Sequence, residues 1–123
     1  MNQSKVKTVI SWVTQIVLAA FYVLASSGKL MSRSQWVELF KGWGFPNKFY
    51  LLIGALEMLG AIGLLIPPLA GYAAIGLIIL MIGATATHLL NAEGLQMLRP
   101  LIVMVFLALV VYLRRPWPLK QVD

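Results

Sequence analysis

Uncharged stretches set the plan of this chain. Thr8 to Gly28 carries no formal charge between Lys7 and Lys29. Its 21 residues rise about 1.5 Å each and reach roughly 32 Å, close to the thickness of a bilayer's hydrocarbon core. A second stretch begins after Lys48 and meets only Glu57 before His88. It is too long for one crossing. Pro67-Pro68 divides it, because proline removes a backbone donor and disfavours helix in the residue before it. A fourth run, Pro100 to Leu113, is only 14 residues between Arg99 and Arg114, about 21 Å and short of a bilayer core. Its helix must therefore start earlier, near Leu95, which draws Arg99 into the span.

These patterns predict an all-α membrane protein. The expected form is a four-transmembrane-helix bundle in a single domain, with spans at about 8–30, 49–66, 70–90 and 95–114. A turn over Pro67–Gly71 joins the second and third. The connection between the first two spans has a different rhythm. Trp36, Phe40 and Trp43 recur at helical spacing, with Gln35, Glu38 and Lys41 off that stripe. Ser32 and Gln35 fit a capping box. A short interfacial helix at about 33–43 follows, its tryptophans at headgroup depth, ended by Gly42, Gly44 and Pro46. Lys5 and Lys7 ahead of an apolar run resemble a signal peptide, but the run is too long for that, and a retained helix is expected. Neither an internal repeat nor a low-complexity segment is present.

Composition agrees with lipid as the solvent. The chain is 60% hydrophobic and 11% charged over 123 residues, against roughly 25% charged in soluble domains. Its formal charge of +6 sits at the ends of apolar runs, which suits anionic headgroups better than nucleic acid. The bilayer is thus the expected partner, beside other membrane subunits or further copies of the chain. With no cysteine, thiol–disulfide exchange and cysteine metal sites are excluded. Basic residues tie at five on each side, with Lys5, Lys7, Arg114, Arg115 and Lys120 opposed to Lys29, Arg33, Lys41, Lys48 and Arg99. Lys29 and Arg99 are expected to turn into the bundle. Discounting them places both termini in the cytoplasm, as a multi-pass protein of the cytoplasmic (inner) membrane.

The candidate chemistry is a polar cluster inside these spans. Gln15, Tyr22, Ser26 and Lys29 fall on one face of the first helix. In the second, Gly54, Glu57, Gly60 and Gly63 recur every third residue, a pattern that allows close helix contact. Met81, Ala84, Thr85 and His88 share a face of the third. An antiparallel bundle brings Lys29, His88 and Arg99 to one level, with Glu57 about two turns deeper. An unpaired carboxylate is very costly in hydrocarbon, so Glu57 is either paired with Lys29 or Arg99, or protonated. Such a pair also serves as a register device without chemistry. Lys29 can snorkel to headgroups, and a lone His88 at a helix end is commonly interfacial. Since no second histidine stands near it, a metal site is not expected. No nucleophile–base pair or phosphate loop is visible, so no catalytic residue is assigned.

In Ser27-Gly28-Lys29-Leu30, Trp43-Gly44-Phe45-Pro46, Gly54-x-x-Glu57-x-x-Gly60-Ala61 and Met81-x-x-Ala84 with His88, the chain resembles the DoxX-like family of small four-helix membrane proteins. The resemblance implies a membrane subunit associated with a thiosulfate:quinone oxidoreductase or quinol oxidase. More distant members imply an assembly factor, as for nicotinic receptors in the endoplasmic reticulum. Three roles are therefore carried forward. The first is an accessory subunit or binder of a hydrophobic ligand, a quinone or lipid, held by Lys29, Glu57, His88 and Arg99 with support from Gln15, Tyr22, Ser26, Gly54, Gly60 and Thr85. The second is an assembly factor for other membrane proteins. The third is a small proton-coupled exporter, although small multidrug transporters carry their essential glutamate in the first helix and Glu57 lies in the second.

Overall fold

The computed structural model describes residues 2–115, all of whose regular structure is helical. Helix α1, Gln3–Leu30, starts where the Asn2 side chain accepts a hydrogen bond from the Lys5 amide at 2.9 Å, satisfying one of the open donors of the first turn. Helix α2, Ser34–Gly42, is the short helix between the first two apolar stretches. Its start is not the capping box expected at Ser32. Arg33 is the N-cap and no side chain caps it. Ser32 instead takes φ +53°, and its hydroxyl accepts a hydrogen bond from the Tyr50 hydroxyl at 3.1 Å. A glycine at φ +85°, Gly44, turns the chain out of α2.

Helix α3, Phe49–Leu64, and helix α4, Pro67–Leu90, are joined by Leu65 and Ile66 alone. The turn expected over Pro67–Gly71 is therefore corrected. Pro67 and Pro68 open α4 at its first two positions, where the missing N–H would have no intrahelical partner and the fixed φ suits a helix. A 3₁₀ turn, Gly94–Met97, leads into α5, Leu98–Leu113. That turn takes up the residues expected to lengthen the last helix.

The four longer helices form a closed ring, with α1 on α3, α3 on α4, α4 on α5 and α5 back on α1. Their inner faces meet in one core: Leu18, Ala19 and Tyr22 of α1, Ala61 and Leu64 of α3, Ala74, Leu77 and Met81 of α4, Leu107 and Val110 of α5. The outer faces are as apolar as the core. Val17, Leu24, Leu59, Ile79 and Val105 are each more than 60% exposed. Leaving such side chains in water costs about 1.5–3 kcal/mol apiece relative to burial, which lipid removes. Three segments, α1, α4 and Gly94–Leu113, are long and apolar enough to cross a membrane, and α3 is a shorter apolar helix.

At the end of the bundle away from residue 2, α2 packs on α1 and α3. Phe40 is its buried anchor, in contact with Trp36, Trp43, Phe45, Phe49 and Tyr50. The expected stripe Trp36, Phe40, Trp43 is thus the face that α2 turns toward the bundle.

Candidate functional site

Two helices build the buried polar group. Seven residues separate Tyr22 from Lys29 on α1, two turns of one face, and Ser26 lies between them. All three are buried, Tyr22 at 0% and Lys29 at 5% exposure. Glu57 of α3, 3% exposed, meets Lys29 with Nζ 2.7 Å from Oε1. Gly54 makes the approach possible. It lies one turn before Glu57, and a Cβ there would stand 2.9 Å from the Lys29 Cβ. On its other side the Lys29 ammonium lies 3.9 Å from the centre of the Trp36 ring, a cation–π contact. The Ser26 hydroxyl donates toward the Val23 carbonyl at 3.3 Å, with Met58 Sδ at 3.8 Å. The Tyr22 hydroxyl is buried without a hydrogen-bond partner among the described residues.

The remaining predicted residues lie apart from this group. Arg99 is a correction: it is exposed and does not join the pair. It is the second residue of α5, and the buried face of that helix runs through Pro100, Leu107 and Val110. A step of 100° from Pro100 therefore turns Arg99 outward. His88 is also separate. Its Nδ1 lies 2.9 Å from Glu93 Oε1, and the Trp43 indole N–H donates to the same oxygen at 2.9 Å. The His88 and Trp43 rings meet edge to face at 5.3 Å. These contacts tie the α2–α3 connection to the α4–α5 turn. They also hold the Glu93 carboxyl below its ordinary range, the His88 hydrogen bond first and the indole second.

Gln15 lies at the opposite end of the core. Its amide donates to the Leu64 carbonyl at 2.6 Å and accepts from Arg114 Nε at 2.9 Å. It thus closes the last turn of α3 against α1 and α5. Thr85 bonds back to the Met81 carbonyl within its own helix. Gly60 faces Leu77, where a Cβ would stand 2.6 Å from Cδ2, and Gly63 faces the Ala73 methyl at 2.8 Å. Both are packing contacts between α3 and α4 that leave the polar group to Gly54 and Glu57.

Sequence reasoning missed three contributors. Trp36 was read as an interfacial anchor, yet its face covers Lys29. Glu93 and Arg114 carried no signal beyond their charge, since each finds its partner only through the fold. No group of three metal-ligating side chains occurs among the described residues. What the site offers is a carboxylate with one cation against it, a spare phenol hydroxyl and a nearby serine, all walled by apolar side chains. A carboxylate has room for about four hydrogen bonds, so Glu57 keeps acceptor capacity beyond Lys29.

A family model described as the DoxX-like family matches residues 13–110. This segment contains Tyr22, Ser26, Lys29, Trp36 and Glu57. No curated protein and no solved structure matches the chain.

Proposed function

The chain belongs to the DoxX-like family and is a helical membrane protein, and from that premise we propose that it holds the polar head of an apolar small molecule, a quinone or lipid, at Tyr22, Lys29 and Glu57. The observation that carries this reading is the incomplete pairing of a buried group. Burying a carboxylate, an ammonium and a phenol in a low-dielectric interior costs several kcal/mol unless partners are supplied. Here Glu57 has Lys29, and the Tyr22 hydroxyl has no protein partner among the described residues. A carbonyl oxygen, which quinones and lipid esters both carry, would accept from the Tyr22 hydroxyl. A head that also bears a hydroxyl, as a quinol or a glycerol-headed lipid does, would donate to Glu57.

The bundle crosses the membrane four times in this proposal. Helix α1 leaves the chain on one side and α4 must start on the other, so α3 carries it back despite its 16 residues. Lys29 is neutralised by Glu57, and Arg99 counts with the headgroups. Basic residues then stand at five on the terminal side against four on the other, a bias that supports cytoplasmic termini and the cytoplasmic membrane in this proposal. Acting inside a larger quinone-linked complex is compatible with this site, since the residues supply binding and no redox group of their own.

The test is thermal. Purified protein titrated with a short-chain quinone and with a phospholipid should melt at higher temperature, because a ligand preferring the folded state stabilises it. At a hundred times the dissociation constant the gain is about 2.7 kcal/mol. The shift should shrink in Glu57→Gln, which removes the charge and keeps an acceptor. The accessory or assembly role is the second reading, and the close packing at Gly54, Gly60 and Gly63 favours it. A broad screen without any shift transfers the conclusion to it.

A further inference from the structure

Helix α2 reaches the buried pair through a notch. The Lys29 ammonium is held between two partners, the Glu57 carboxylate at 2.7 Å and the Trp36 ring at 3.9 Å. The indole reaches that position because α1 has no side chain at Gly28. A Cβ there would stand 2.7 Å from Trp36 Nε1 and 3.0 Å from Cδ1, closer than atoms of the two residues can sit. Trp36 is itself only half-buried and covers the Lys29 ammonium, whereas Lys29, Ser26 and Glu57 are all buried. It is therefore the last layer between the pair and the surface on that side. Helix α2 has just nine residues and no side-chain cap at its start, and it is anchored by Phe40, its aromatic contacts and the hydrogen bonds of Ser32 and Trp43 at its two ends.

We propose that α2 is a lid over the Lys29–Glu57 pair, with Trp36 as its closing residue and Gly28 as the seat that lets it shut. In the closed state the indole screens the ammonium from water and headgroups. Rotation or lifting of α2 uncovers the pair on the side away from the termini and gives an amphiphile's head a way in. The lid serves the binding site proposed above, yet its closure needs no ligand, so the two ideas fail separately.

The experiment uses the absence of native cysteine. Ser26→Cys places a thiol on the buried face of α1, one turn from Lys29, and protein in liposomes is treated with a water-soluble maleimide. Labelling should be slow in Ser26→Cys alone. It should become roughly tenfold faster when Trp36→Ala or Gly28→Ala is added, the factor expected from losing a cation–π contact of ordinary strength. Trp36→Phe, which keeps a ring, should stay close to the slow rate. Ala19→Cys, also buried but two turns farther from α2 along α1, should remain slow in all backgrounds. Unchanged labelling at position 26 in both lid variants overturns the proposal. Equal acceleration at positions 26 and 19 overturns it too, because the substitutions then loosen the bundle as a whole.

Discussion

Glu57 was legible in the sequence because a lone carboxylate within an apolar run must find a partner, and Lys29 is the cation that α1 delivers to its level. The same logic failed for Arg99, since its side chain's direction depends on where α5 begins. A 3₁₀ turn that no composition signal marks sets that start. Glu93 shows a further limit. Nothing in the sequence singles it out, yet His88 and Trp43 converge on one of its oxygens. Its lowered pKa fixes the sign of a pH effect. The folded value lies below the unfolded one, so the stabilisation is fully present above the ordinary glutamate range of about 4 and is lost as pH falls through the folded value. Thermal unfolding of the wild type should show that loss below pH 4, and the Glu93→Gln variant should show a smaller loss over the same interval. Equal pH profiles for the two proteins would remove the stabilising contact of Glu93 with His88 and Trp43 from the account.

At the scale of elements, α1, α4 and Gly94–Leu113 are the helices long and apolar enough to cross a membrane, lengths that lipid demands whatever the fold. Boundaries were harder wherever a residue has two permitted roles. Proline breaks a helix from within and begins one at its first turn, and only the packing of α3 against α4 chose the second role for Pro67. Glycine is similar. Gly54, Gly60 and Gly76 look alike in sequence, but a Cβ at Gly60 would meet Leu77 at 2.6 Å, whereas at Gly76 nothing lies within 4 Å. Gly60→Ala should therefore destabilise the protein by about 1–3 kcal/mol through overpacking. Gly76→Ala should be neutral or stabilising, because alanine lowers the conformational entropy of the unfolded chain. Unfolding midpoints of the two variants in the same detergent check the contrast, and equal destabilisation would contradict the packing described for α3.

The molecule as a whole is an apolar ring with its polar groups gathered at two levels, Gln15 and Arg114 toward the termini and Lys29 with Glu57 toward α2. Single cysteines at Ser4 and Gln35 should respond differently to an impermeant thiol reagent on intact cells. Gln35→Cys should be labelled directly and Ser4→Cys only after permeabilisation. The reverse pattern inverts the orientation, and labelling of both would abolish the α1 crossing. The two-residue link between α3 and α4 also bears on how the protein is made. A 16-residue helix with a glutamate at its middle is a poor candidate for partitioning into lipid alone, and Leu65 and Ile66 give it no freedom to wait elsewhere. In the four-crossing proposal the pair would enter the bilayer as one hairpin, after α1 with Lys29 has left the ribosome. The order of synthesis supplies the cation before the acid, so in that proposal Glu57 would enter a membrane in which its counterion is already waiting.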